Sequence, residues 1–507
     1  MKRNVLKKTS WVIVSILTLL LFTQPTDAAT ADSRTIKNGQ EWFDTSGNLI
    51  QAHGGGFMKY GAYYYWVGED KLTNSARFNG VNLYRSKDLK NWEFVHQILS
   101  MSANPNLTGK TVERPKLIYN EKTKMFVLWA HWENGENYSS SHLLVATSQA
   151  IGGDYKVIRN FRPGAGEVAD PGVDPTYTGT DGNYGYGSRD FTVYNDTSNH
   201  AAYLISTQNS SVMRVYKLTD DYTNVDWKNS YPLFAGKKRE APALVKVGDY
   251  YFLFTSSQSG WYPNQAMVSF TKDISDPNGW SDMQPVGNNS TFYSQPTNIM
   301  EISRPNGENQ YIYMGDRWNP SKLGSSQYIW LPLTFKGTNV TMNYVSTWQL
   351  THTGKIKTSK DKLLSENKPV TGSEAKAGFS LNQANDGNYV QELGSWNPSS
   401  AYMPVNVPFE WQVDLQKNKK LSRIDISFVS YNGSETYAQF QIYGSNDRSQ
   451  WTLLKDESQN KTTSFISDDI SGTYRYVKIA VSRVVNAHNG NAASWAAGFT
   501  EVQVYGK

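Results

Sequence analysis

Five polar residues sit at matching places in a chain that contains no cysteine: His53, Glu113, Asp190, Glu240 and Gln295. Each lies in a Gly- or Pro-marked segment ten to sixteen residues ahead of an aromatic or β-branched run. Carboxyl groups that converge on a wet pocket can divide the work of glycoside hydrolysis. One protonates the leaving oxygen, while a base on the other side activates water. Trp261 and Trp318, just after two of the runs, offer flat apolar faces for a sugar ring, and Asn264, Asp316 and Arg317 beside them offer hydroxyl partners. His53 has no second histidine or cysteine at metal-ligand spacing, so a zinc site is not expected. The three glycines after it lack the Lys-Ser/Thr of a phosphate loop and fit close backbone packing instead.

The runs themselves are Tyr63-Tyr64-Tyr65-Trp66-Val67, Met125-Phe126-Val127-Leu128-Trp129, Ala201-Ala202-Tyr203-Leu204-Ile205, Tyr250-Tyr251-Phe252-Leu253-Phe254 and Tyr311-Ile312-Tyr313-Met314. Polar turns with hairpin chemistry precede them, and a second strand-like segment follows most of them. Long helical periodicity is missing. Recurring all-β units of this size predict a β-propeller, here with five blades, whose equivalent inner positions face one axis. That geometry would gather the five polar residues around one pocket. A large β-sandwich with accidental spacing is the competing fold.

From residue 352 onward the aromatic repeat stops and Lys, Ser, Thr and Gly accumulate. The expected layout is a signal peptide over 1–28, a propeller over 29–354, a linker over 355–366 and a β-sandwich over 367–507. The last rests on alternating segments such as Trp411-Gln412-Val413-Asp414-Leu415 and Ile424-Asp425-Ile426-Ser427-Phe428. The basic start, the apolar run from Trp11 to Phe22 and the small residues at Ala28-Ala29 read as an export signal, with an uncleaved anchor as the alternative. A secreted, extracellular protein without a wall-sorting signal is expected, held together by its core, since disulfides are impossible. Hydrophobic residues at 38% against 19% charged exclude disorder, and a net charge of only +5 argues against a nucleic-acid partner.

At these residues the chain resembles glycoside hydrolase family 43. More narrowly, Ala52-His53-Gly54-Gly55-Gly56, Trp66-Val67-Gly68-Glu69, Val112-Glu113-Arg114-Pro115-Lys116, Ser188-Arg189-Asp190, Arg239-Glu240-Ala241-Pro242 and Gly315-Asp316-Arg317-Trp318 look like its exo-β-1,3-galactanase branch. The resemblance implies a five-bladed propeller that hydrolyses with inversion, without a catalytic cofactor. It implies Glu240 as general acid and Asp190 as the neighbour that raises the acid's pKa. Most of the family carries an aspartate base on the first blade, but Gln51-Ala52-His53 offers none. The branch then implies Gln295 as base or water holder, and Glu69 and Glu113 as substrate-binding carboxylates. Glu113 stays open as an alternative base, and Glu69 as a partner of Arg114 or Arg189.

The C-terminal part is similar to the discoidin, or coagulation-factor type C, fold, also called carbohydrate-binding module family 32. This rests on Ala384-Asn385-Asp386-Gly387-Asn388, Trp411-Gln412-Val413-Asp414-Leu415 and Glu501-Val502-Gln503-Val504-Tyr505-Gly506. The likeness implies a structural calcium on Asp386 and Glu501, with an Asx-turn and a surface carboxylate as the plainer reading, and sugar contacts at Trp396, Tyr431 or Trp495. The expected substrate is β-1,3-galactan or arabinogalactan, cut by a monomer tethered through its second module. The alternatives are a catalytically silent glycan-binding protein and a family 43 enzyme acting on β-xylosides or α-arabinofuranosides.

Overall fold

A computed structural model describes residues 35–167, 185–208, 211–391, 400–431 and 435–507. The signal-peptide reading, Trp396 and most of the insertion between Pro163 and Gly187 fall outside them. Among the described residues every extended element is a strand, the helices are single 3-10 turns, and no helix is long and apolar enough to cross a membrane.

Five four-stranded antiparallel sheets follow one another along the chain, each a meander such as His53–Tyr60, Tyr63–Glu69, Val81–Ser86 and Glu93–Leu99. Their innermost strands, His53–Tyr60, Thr111–Asn120, Phe191–Asp196, Arg239–Val247 and Gln295–Ser303, lie side by side, and the last neighbours the first. The expectation of five blades is nevertheless corrected, because the propeller has six sheets. The sixth joins Ile36–Lys37 to Thr347–Leu350 and Ile356–Thr358. Its strands are two to four residues long and come from opposite ends of the domain, so they carry no trace of the aromatic repeat.

That sixth sheet seals the ring. Trp348 donates its indole N–H to the Trp330 carbonyl at 2.8 Å. Trp330 also stands edge-on to Trp42 and Trp66, at centroid distances of 4.9 and 4.7 Å. Asn38, just past the first strand, donates to the carbonyls of Trp330 and Val345 and accepts from the Trp330 N–H. Edge-to-face rings are favoured by their quadrupoles, and their large area dominates the burial term.

The C-terminal domain is a β-sandwich of seven paired strands around one core that includes Trp411, Ile424, Phe440, Val477, Ile479, Phe499 and Val502. Two strands, Phe409–Phe428 and Phe465–Asn486, run through most of it, with register shifts between Asp414 and Lys419 and between Leu421 and Arg423. The stretch 355–366 is not a free linker: Ile356–Thr358 belongs to the propeller's sixth sheet and Lys362–Leu363 pairs with the sandwich strand Phe499–Gly506.

Because Trp330 is only 1% exposed and bridges three sheets, Trp330→Ala should cost about 3–5 kcal/mol, read as a lower denaturation midpoint in urea.

Candidate active site

Four of the five innermost strands meet the pocket through a shared local device, the exception being Phe191–Asp196, which pairs in continuous register. The pairing with the second strand slips between His53 and Gly56, between Glu113 and Lys116, between Glu240 and Ala243 and between Pro296 and Asn298. A β-bulge breaks the in-out alternation and re-aims one side chain. At two of these bulges the residue after the acid is left-handed: Arg114 at φ 55° and Ala241 at φ 49°, each followed by a proline that has no N–H to give to the ladder. At the first bulge the backbone requires glycine, since a Cβ on Gly54 would stand 2.3 Å from Glu69 Oε1 and one on Gly55 would strike the Val67 carbonyl.

A cavity of about 400 Å³ opens at this end, lined by Glu69, Glu113, Arg114, Asp190, Glu240, Gln295, Trp261 and Trp318 together with Lys71, His131, Tyr138 and Arg189. Arg114 is its organiser. The guanidinium donates to Asp190 Oδ1 at 3.1 Å and lies 2.9 Å from Oδ2; it also donates to Gln295 Oε1 at 2.6 Å and to the Pro296 carbonyl. The Arg114 backbone N–H donates to Glu69 Oε1 at 2.9 Å. Burial would lower the Arg114 pKa, but the carboxylates of Asp190, Glu69, Asp316 and Glu240 outweigh it and keep the charge firmly in place.

Glu240 is pushed up to about 8, chiefly by burial and next by the Asp190 charge, against the pull of Arg114, Arg239 and Gln295. Asp190 also accepts from the Ala241 N–H at 3.2 Å, which ties it to the strand that carries the acid. Gln295 is fully engaged. Its Oε1 accepts from Arg114 and, at 3.0 Å, from the Trp318 indole, and its amide N–H groups point to Glu240 Oε1 at 3.0 Å and Ser256 Oγ at 3.3 Å. An amide has two acceptor and two donor positions, and all four are used.

Glu113 lies in the opposite electrostatic regime. Burial works to raise its pKa, yet His131, Lys71 and the Tyr138 hydroxyl, which donates at 2.8 Å, hold it down at about 2. His131 is lodged between Glu113 and Glu133, with its Nε2 2.8 Å from Glu133 Oε1. Burial lowers its pKa, but the two carboxylates win and lift it to about 9. Glu69 pairs with Lys71 at 2.6 Å rather than with Arg189 or the Arg114 side chain; burial raises its pKa and the lysine opposes this. Below, the buried Lys116 ammonium donates to the Gly54 carbonyl at 2.8 Å. Lys116 also lines a second cavity, formed by the other ends of the inner strands.

Three residues expected to meet sugar hydroxyls have their polar atoms committed to the protein. Asn264 staples its own loop to Ser257 and Ser259, Asp316 accepts from the Gly54 N–H at 2.6 Å, and Arg317 donates to the Phe292 and Tyr293 carbonyls. Their position at the end of a blade strand, for Asp316 and Arg317, or after one, for Asn264, did not decide which way they point. Trp261, at 36% exposure, and Trp318, at 8%, do stand in the wall, ring centroids 5.3 Å apart. His53 stacks on Tyr328 and faces Asp316, and no group of three or more His, Asp or Glu that would suit a metal occurs among the described residues. His131, Tyr138 and Lys71 were not singled out from sequence, and Arg114 only as a possible partner of Glu69. The only signal for them was that Arg114 adjoins Glu113 within a matched motif.

A profile of glycosyl hydrolases family 43 matches residues 57–327. The chain belongs to this family. A profile of the F5/8 type C domain matches residues 369–497 of this family 43 glycosidase. Among solved structures it is similar to an exo-β-1,3-galactanase from Clostridium thermocellum, at 31% identity over 93% of this chain and 97% of the other, with a TM-score of 0.58. It is also similar to an exo-β-1,3-galactanase from Phanerochaete chrysosporium with β-1,3-galactotriose, at 28% identity over 93% and 100%, TM-score 0.61. A family 43 β-1,3-galactosidase with galactodeoxynojirimycin matches at 31% identity over 62% of this chain and 99% of that one, TM-score 0.55. No curated protein sequence matches the chain.

For this glycosidase any step that needs protonated Glu240 should fade as pH rises through about 8, giving a basic limb in kcat/KM. Asp190→Asn removes the like charge, lowers the Glu240 pKa and moves that limb to lower pH; a pH–rate profile of both proteins checks the direction.

Proposed function

We propose that the protein is an exo-acting β-1,3-galactanase that releases galactose, or substituted galactose, from the ends of β-1,3-galactan or arabinogalactan with inversion. One observation carries this reading: the buried Glu240 carboxyl, bonded to Gln295 and beside Asp190, stands in a cavity of about 400 Å³ walled by two tryptophans. The two exo-β-1,3-galactanases among the similar structures support the choice of sugar.

Glu240 acts as general acid. As it gives its proton to the leaving oxygen, the Gln295 N–H and the Arg114 charge stabilise the carboxylate that forms. Asp190 keeps the acid protonated beforehand and, through Arg114, in position. Gln295 therefore serves the acid, being hydrogen-bonded to it, whereas inversion needs water on the opposite face of the ring with roughly 6.5–9.5 Å between the two groups. We assign the water to Glu113, ionised throughout the working range. A weak base suffices there, because an oxocarbenium-like transition state makes the attacking water acidic. Glu69 and Arg189 take sugar hydroxyls, and Trp261 and Trp318 take its apolar face.

Residues 1–28 direct export, and the enzyme works outside the cell as a monomer. In the sandwich, the Oε1 atom of Glu501 is buried without a hydrogen-bond partner, and burial followed by the nearby Asp386 charge pushes its pKa up to about 8. A carboxylate pair with an orphaned oxygen fits a hard cation, and Asp386 and Glu501 would hold calcium as a brace with no part in the chemistry.

Wild-type enzyme with β-1,3-galactan should yield galactose, and Glu240→Gln should lose about 10²–10⁴-fold in kcat. Absence of product from galactan, with cleavage of an aryl β-xyloside or α-arabinofuranoside instead, would replace the substrate. Absence of product from the whole panel would leave a glycan-binding protein. Azide should restore turnover to Glu113→Ala, forming a glycosyl azide; restoration in Gln295→Ala alone would return the base to the amide. Calcium should raise the thermal midpoint of the wild type and leave that of Glu501→Gln unchanged.

A further inference from the structure

The segment that delivers Gln295 to the pocket is not built by the propeller alone. Between the strands Gln284–Val286 and Gln295–Ser303 the chain passes through three consecutive left-handed residues, Thr291, Phe292 and Tyr293, at φ 53°, 53° and 58°. Such a run is costly for residues with side chains and persists only where surroundings over-determine it. The surroundings come from both domains. On the propeller side Arg317 donates to the Phe292 and Tyr293 carbonyls, and Asn288 Oδ1 accepts from the Ser290 and Phe292 N–H groups.

On the sandwich side the same segment is just as tightly held. Asn288 Nδ2 donates to Ser427 Oγ at 3.0 Å and Asn289 Nδ2 to the Phe428 carbonyl at 2.7 Å, both asparagines being buried. Phe292 stands edge-on to Phe465 at 5.3 Å, and Tyr344 meets the same ring at 5.0 Å, so one apolar cluster spans both domains. A second contact reaches the other wall of the pocket, where His488 of the sandwich packs edge-on against Tyr262, the residue after Trp261.

From this we infer that the sandwich is a structural part of the active site, holding the Asn288–Ser294 segment so that Gln295 meets Glu240, and bracing the loop that carries Trp261. It goes beyond the tethering role expected from sequence, in which a flexible linker only raises local concentration. It rests on the proposed chemistry for the meaning of Gln295 and Glu240. Ser427, Asn289 and His488 are positioning residues, acting through others.

Three single variants test it: Ser427→Ala and Asn289→Ala at the interface, and His488→Ala, which sits at the surface and leaves folding intact. Glu240 faces Asp190, Arg114 and Arg239 besides Gln295, and none of the variants touches those three. Loosening Gln295 removes a bond that lowers the Glu240 pKa. The basic inflection of Ser427→Ala and Asn289→Ala should therefore move to higher pH, with kcat/KM down about ten-fold for a shift of well under 1 Å. His488→Ala should raise KM about three-fold with kcat unchanged, because a loosened Trp261 platform weakens binding in ground and transition states alike. Rates are compared on any glycoside that the wild type cleaves, so a wrong sugar leaves the comparison intact. Fluorescence of Trp318, whose indole donates to Gln295, follows the Glu240 titration without turnover. Folded interface variants with wild-type inflections, or a His488→Ala enzyme with wild-type KM, would overturn the inference and return the sandwich to the role of a separate anchor.

Discussion

One guanidinium carries the arrangement. Arg114 lets an ionised Asp190 and a protonated Glu240 share a small buried volume, because its fixed charge satisfies the first without ionising the second. The same group touches Gln295 and, through its backbone N–H, Glu69, so four sheets converge on one residue. A lysine would not substitute: a point charge cannot direct separate N–H groups at Asp190, Gln295 and the Pro296 carbonyl at once. The left-handed backbone at this position is what turns the side chain inward.

Around that centre the pocket is polarised. On one wall burial and a like charge hold Glu240 neutral. On the other, a buried imidazolium between Glu113 and Glu133 holds Glu113 ionised. Two carboxyl groups of the same type are driven apart in pKa by their neighbours, so that one fold can present a proton donor and a proton acceptor at a single pH.

Much of this was legible beforehand, for a physical reason. Polar residues that recur at or just before the start of successive inner strands, each in a Gly- or Pro-marked segment, fall at one end of the ring, so Glu113, Asp190, Glu240 and Gln295 announced a shared axis. Side-chain direction was less legible. Asp316 and Arg317 end a blade strand and Asn264 follows one, near Trp318 and Trp261, yet they turn into the protein, Asn264 to its own loop and the other two to backbone groups of other segments. Arg114 gains its meaning only from groups in other sheets, and His131 from Glu113 on the neighbouring strand as well as from Glu133 on its own, a combination no local pattern encodes. The sixth sheet was hidden because two- to four-residue strands have no periodicity to read. The Lys- and Ser-rich stretch 355–366 looked like a tether because its strands are equally short.

The bulges that re-aim one residue on most inner strands have a consequence for how such an enzyme changes over time. Each offset frees a single position from the alternation that governs its sheet, so that position can be exchanged without repacking the layers behind it. Binding preference and reaction chemistry can thus drift at the hub while the outer framework stays under its own separate selection.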